Sequence, residues 1–240
     1  MRQLEVGRKK ISVPESWGEI PLGTYIQASK MLKQYQGIPR RAIGACVASL
    51  CGISEAQLMA MQIEDIEAIT AALGFYFDTA PEPNFVDHFE RGGIMFQVPS
   101  SIESATFGEF IDMDTEVINH KDDLKAAVPG ILSIYCRPQG ERYQAETQQE
   151  LETRLTERRK IMSSLPMPIA EGLAAFFLTS VNASLPITAQ FGQSRVSLIS
   201  RVRLQASLLK STGGWQRLCN LPKIIFLWWM RSRLSRSTKY

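Results

Sequence analysis

This 240-residue chain is poor in the residues that most often carry catalysis: it has two histidines and four cysteines. Cys46, Cys51, Cys136 and Cys219 form no CxxC pair, and His88 and His120 lie far from each of them. That pattern supports neither a zinc site nor a disulfide framework, and no cofactor or metal is expected. Long apolar runs are missing too. The run from Ile224 to Met230 falls far short of the ~20 residues a bilayer span requires, so no transmembrane segment is expected. Residues 1–10 contain no apolar core of the signal-peptide kind, which leaves a reducing cytoplasm as the expected compartment. The last absence is one of sign. No acidic residue follows Glu171, whereas Arg195, Arg201, Arg203, Lys210, Arg217, Lys223, Arg231, Arg233, Arg236 and Lys239 do. With these ten basic residues set apart, residues 1–171 hold 17 basic and 24 acidic groups, so an acidic body carries a basic tail. Such a tail is suited to an acidic surface, whether protein, nucleic acid or lipid.

What is present is an internal repeat at a constant offset of 85 residues. Val13-Pro14-Glu15-Ser16 recurs as Val98-Pro99-Ser100-Ser101, and Leu22-Gly23-Thr24-Tyr25-Ile26 recurs as Phe107-Gly108-Glu109-Phe110-Ile111. The same offset pairs Glu5 with Glu90, Gly7 with Gly92, Ala42 with Ala127 and Cys51 with Cys136. Several of these identities fall on a turn glycine, a strand-ending Val-Pro or a helix start, positions that backbone geometry restricts. The expectation is a duplicated unit of a β-hairpin followed by helices, at 4–51 and 89–136.

The local signals agree with that reading. Leu4–Val6 and Ile11–Val13 flank a turn containing Gly7, and Phe85–Glu90 and Ile94–Val98 flank Arg91-Gly92-Gly93. Each second strand ends at Val-Pro, because proline cannot donate to a ladder. Thr106 with Glu109 and Ser54 with Gln57 have capping-box spacing, and Ile53 with Leu58 has the spacing of a hydrophobic staple. In the first copy Pro21 replaces the threonine and is expected in the first helical turn. Between the copies, residues 52–84 read as a helical insert, with Ile63, Ile66, Ile69 and Leu73 as a stripe ending at Gly74 and a loop at 81–84. From 146 onward the pattern is helical. Leu151, Leu155 and Met162 share a face, Glu150 and Arg154 have i,i+4 spacing, and Pro166-Met167-Pro168 is a break. A short apolar helix around Leu173–Val181 and a longer one near Ser194–Lys210 are expected beyond it. The fold class is therefore α-dominated α+β, with a duplicated hairpin-helix domain at 1–145 and a C-terminal helical region at 146–240.

Taken together, Ile11-Ser12-Val13-Pro14-Glu15-Ser16-Trp17-Gly18-Glu19-Ile20, then Ala105 to Asp114, then Gly130 to Pro138, and Leu165 to Leu178, resemble a group of tailed-bacteriophage tail assembly chaperones and tail-associated structural proteins. The resemblance covers roughly residues 10–180, departs from the family's threonine at Pro21, and leaves out 185–240. It implies a non-enzymatic virion assembly or structural protein in the host cell cytoplasm, retained in the virion or not. The partners it implies are other tail or virion proteins, such as a tape-measure-like protein or tail-tube subunits, with self-association as an alternative.

Three constellations bear on chemistry. Glu109, Asp112, Asp114 and Glu116 are the densest carboxylate cluster; on a helix Glu109, Asp112 and Glu116 share a face, and acids near a helix N-terminus point to a solvated surface. Cys136 with His120 has the residue types of a nucleophile and base, but the equivalent Cys51 has no such histidine, so packing is the expected role. The tail places Trp215, Leu218, Leu221, Ile225, Trp228 and Trp229 near helical spacing, with Arg231 and Arg233 following, and is expected to bind a partner protein. The alternatives are a nucleic-acid-binding accessory function through 195–240, by phosphate contact and stacking, or a membrane-surface segment.

Overall fold

The structure is a computed structural model and describes residues 1–6, 9–102, 105–143 and 147–183. Among these, 61% are helical and 12% are in strands, which makes the chain α-dominated α+β. In chain order the elements are β1 (Arg2–Val6), β2 (Lys9–Val13), a 3₁₀ turn (Trp17–Glu19), α1 (Leu22–Gln34), α2 (Pro39–Cys51), α3 (Glu55–Met59), α4 (Ile63–Ala72) and α5 (Gly74–Asp78). The second half continues with β3 (His88–Arg91), β4 (Ile94–Gln97), α6 (Phe107–Asn119), α7 (Leu124–Tyr135), β5 (Arg137–Pro138), α8 (Gln148–Ser163) and α9 (Met167–Ala183).

The repeat is carried by the backbone. β1 and β2 pair antiparallel with Leu4 opposite Ile11, and β3 and β4 pair with Phe89 opposite Phe96, each residue being its counterpart's number plus 85. α1 and α6 start and end at positions related by that offset, as do the first residues of α2 and α7. The buried positions correspond as well: Ile11 and Phe96, Val13 and Val98, Ala42 and Ala127, Cys51 and Cys136. A one-residue slip in either hairpin would turn these side chains to the other face, so the shared register is what keeps both hairpins on a core. The second hairpin closes through Gly92 and Gly93 at φ 62° and 73°, the two left-handed residues that a two-residue hairpin loop requires. Gly7 lies outside the described residues.

Packing divides the chain into two compact units. One takes Met1–Ile20 and Gln27–Ala80; the other takes Pro21–Ile26 and the described residues from Pro81 onward. In the first, β2 packs on α2, and Trp17 is held by α5: its indole N–H donates to Thr79 Oγ1 at 3.0 Å and its ring lies 5.1 Å from that of Tyr76. In the second, α7 packs between α6 and α8. Tyr135 at the end of α7 stacks on Phe177 of α9 at 4.8 Å.

Several sequence-based expectations are corrected. Gly74 opens α5 and does not stop the helix in a left-handed cap. Pro21 precedes α1, at the position where Thr106 caps α6; it offers no side-chain acceptor, and the N–H of Leu22 donates to Leu165 O at 2.8 Å. Glu150 does not pair with Arg154 but closes a capping box with Thr147, while Arg154 pairs with Glu141 at 3.3 Å. Phe85 lies outside β3, and α9 begins at Met167, earlier than its apolar stretch indicated. β5 was not expected: two residues carry no periodicity, and this strand exists because the chain leaving α7 meets the free edge of β4. The helix expected near Ser194–Lys210 lies outside the described residues.

The capping boxes at Ser54 and Thr106 are present as expected, each with both reciprocal hydrogen bonds. Ser54→Ala and Thr106→Ala should each cost about 1 kcal/mol, read as a lower urea midpoint at constant slope. Unchanged midpoints in both would show that these side chains do not hold the helix starts.

Candidate functional site

The carboxylate face of α6 is the most concentrated set of ionisable groups that the described residues bring together. Thr106 begins it. Its N–H donates to Glu109 Oε2 at 2.6 Å and its hydroxyl accepts from the N–H of Glu109 at 3.3 Å. This turns the Glu109 side chain back over the helix start, where it is 1% exposed, and sets Oε1 3.1 Å from the Arg137 guanidinium in β5. One turn on, Asp112 accepts a hydrogen bond from the Tyr143 hydroxyl. A turn further, Glu116 pairs with Arg159 of α8, and its Oε2 lies 3.7 Å from Nδ1 of His120. The Glu116 carboxylate lies against Gly130 of α7, where a Cβ would fall within contact of it.

The sequence placed Glu109, Asp112 and Glu116 on one face, and the structure does bring them together. The face is not a solvated one. Each acid meets a partner from another element: Arg137 after α7, Tyr143 in the following loop, Arg159 on α8. A second layer lies behind. Arg158 of α8 is 6% exposed; it donates to Ser133 O at 3.0 Å and pairs with Glu141, which also receives Arg154 at 3.3 Å. Helical spacing could find the acid face, but the arginines that cover it come from α8 and β5, and no local signal in α6 announces them.

The groups with reactive potential are held protonated. Burial raises the Cys136 thiol strongly, with Arg158 and Arg137 opposing. Burial also raises the Tyr143 hydroxyl, helped by its hydrogen bond to Asp112 and by the charges of Asp112 and Glu109. Tyr135 is pushed up to about 12 by burial and by Glu109, and Cys51 to about 11 by burial. A thiol in that state is a small apolar group and a poor nucleophile. His120, half-exposed, engages the Glu116 backbone carbonyl through Nδ1 at 3.0 Å, whereas Cys136 is fully buried at the end of α7. The arrangement can neutralise charge inside a helix-sheet junction and hold α6, α7 and α8 in fixed register.

The outer face of α6 has the opposite character. Phe107, Ile111 and Ile118 are 78%, 45% and 49% exposed and lie on one side of the helix. The tail residues Trp215, Leu218, Leu221, Ile225, Trp228, Trp229, Arg231 and Arg233 lie outside the described residues. Among the described residues no helix is long and apolar enough to cross a membrane, and no group of three or more His, Cys, Asp or Glu residues is arranged to hold a metal ion. Comparison with protein-family models, with curated proteins and with solved structures found no match to this chain.

Two outcomes follow from the ion-pair layer. Arg158→Ala should lower stability by about 2 kcal/mol, because it leaves the buried Ser133 O without its donor and Glu141 with Arg154 alone; a loss below about 0.5 kcal/mol, the usual range of a surface substitution, would contradict the burial argument. The second outcome is alkaline destabilisation. Cys51, Tyr135, Cys136 and Tyr143 all have raised values in the folded chain, so the unfolded chain releases protons first as pH rises. The stability they contribute is complete below the ordinary thiol value of 9.0 and declines as pH climbs through about 11. Denaturant midpoints should therefore fall across that interval, less steeply in Tyr143→Phe than in the parent chain.

Proposed function

We propose that the chain is a non-enzymatic tailed-phage tail assembly or structural protein that acts through protein–protein contacts in the host cell cytoplasm. The observation that carries this reading is the fate of the ionisable groups. The densest acid cluster, the tyrosine beside it and the cysteine behind it are engaged in internal pairing and held by burial, which supports a scaffold role over an acid–base or nucleophilic one. The pattern-level resemblance over residues 10–180 supports the assembly context. The basic, aromatic tail supplies the contact surface in this reading: Trp215, Leu218, Leu221, Ile225, Trp228 and Trp229 form the apolar part, and Arg231 and Arg233 meet acidic groups at the rim. The partners are other tail proteins, of the tape-measure or tail-tube kind.

Co-expression with the tail proteins encoded beside it, followed by affinity capture of the full chain and of a chain ending at Gly214, tests the proposal. The expected outcome is that the full chain captures a tail protein, while the shortened chain keeps its far-UV circular dichroism and loses that capture. Unfolding of the shortened chain would make the tail part of the core. Retained capture, with loss of salt-sensitive DNA binding, would move the tail to the nucleic-acid reading.

A further inference from the structure

β3 is the outer strand of its sheet, and the register of the hairpin fixes which of its backbone groups face outward. The N–H of Val98 donates to Asp87 O at 2.9 Å, and the strands continue with Phe89 opposite Phe96 and Arg91 opposite Ile94. In an antiparallel ladder alternate residues turn their N–H and C=O toward the neighbouring strand, so Asp87, Phe89 and Arg91 face β4. The backbone groups of His88 and Glu90 therefore point away from the sheet. Among the described residues no strand pairs with that edge, and the His88 and Glu90 residues are exposed.

An open edge is a template for another strand, and charged side chains are the usual defence against it. The charges of this edge do not defend it against its own sequence. Turned antiparallel about a two-fold axis at Phe89, the segment Asp87-His88-Phe89-Glu90-Arg91 opposes Asp87 with Arg91 and His88 with Glu90. In that register the residues that meet as a hydrogen-bonded pair are His88 and Glu90, the ones whose backbone faces outward. A one-residue slip loses both the charge match and the hydrogen bonds. The first hairpin lacks this property. In the same register its strand Arg2-Gln3-Leu4-Glu5-Val6 opposes Arg2 with Val6 and Gln3 with Glu5, and no opposite charges meet.

We propose that the free edge of β3 binds the same edge of a second molecule, giving a two-fold dimer with one continuous sheet. The Glu90 carboxylate of each molecule accepts a hydrogen bond from the His88 imidazole of the other. Asp87, whose side chain is 83% exposed, meets Arg91. Arg91 is already positioned: its Nε donates to Ser164 Oγ at 3.0 Å and its Nη2 to Ser164 O at 2.6 Å, which fixes one side of the guanidinium. On the inner face the stacked rings of Phe89 and Phe96, 5.3 Å apart, continue across the axis as one aromatic row. The proposal is independent of what the tail binds.

Sedimentation velocity of the full chain over a concentration series tests it. The parent should show a reversible monomer–dimer equilibrium. His88→Glu sets carboxylates against each other at both ends of the two-fold pair and should raise the dimer dissociation constant about tenfold. Glu90→Pro removes an N–H that faces outward from β3, so it should abolish the dimer while far-UV circular dichroism stays that of the parent. The exchange variant, His88→Glu with Glu90→His, restores the opposition and should return the constant to within about threefold of the parent. Glu5→His on the first hairpin should leave the constant unchanged. If Glu90→Pro alters the dichroism, the exchange variant decides. A parent chain that stays monomeric throughout, a His88→Glu variant that dimerises as the parent does, or an exchange variant that does not regain the dimer would overturn the proposal. An equal loss in Glu5→His would overturn it as well, because the effect would then be one of net charge.

Discussion

The Glu109 carboxylate is the joint on which the second unit depends. Burying an unpaired carboxylate would cost several kcal/mol, yet here it has the amide and hydroxyl of Thr106 on one side and the Arg137 guanidinium on the other, at a helix N-terminus whose dipole favours negative charge. Because Arg137 lies in β5 and β5 pairs with β4, the same carboxylate ties the start of α6 to the sheet. The two residues before Arg137 extend the joint into the core: Cys136 is enclosed, and Tyr135 stacks on Phe177. Three consecutive residues thus connect a sheet edge, a helix start and α9.

The duplication preserves backbone geometry more strictly than it preserves contacts. Hairpin register and helix starts carry over at the same offset, while the means of satisfying the helix start changes. α6 uses a threonine–glutamate box, whereas α1 has Pro21 ahead of it and takes a carbonyl from Leu165. The consequence is a difference in what each helix requires from the rest of the chain. α1 needs the α8–α9 corner to complete its first turn, but α6 is capped by its own residues, and its outer face is exposed at Phe107, Ile111 and Ile118.

This economy bears on the functional reading. In a protein of about this size an acid cluster beside a tyrosine and a cysteine would ordinarily invite a catalytic interpretation. Here the partners of those groups come from packed helices and a strand, and the thiol and hydroxyls are raised by burial. The assembly proposal draws on that internal use of polar groups and on a tail in which charge of one sign and large aromatics coincide.

The hairpins, the leading helices, the insert and the two capping boxes were legible in the sequence because each rests on interactions within a few residues: Gly92-Gly93 permits the turn, Val-Pro ends the strand, and Thr106 and Ser54 cap their own helices. The face shared by Glu109, Asp112 and Glu116 was legible for the same reason, since helical spacing alone places them together. Which way that face points was decided by tertiary structure. Arg137 and Arg159 come from elements that local pattern does not bring to α6, and their pairing with Glu109 and Glu116 outweighs the tendency of carboxylates to stay in water. β5 and the grouping of α8 with the second repeat belong to the same class, because a two-residue strand and a helix-helix contact are defined by their neighbours and leave no period in the chain.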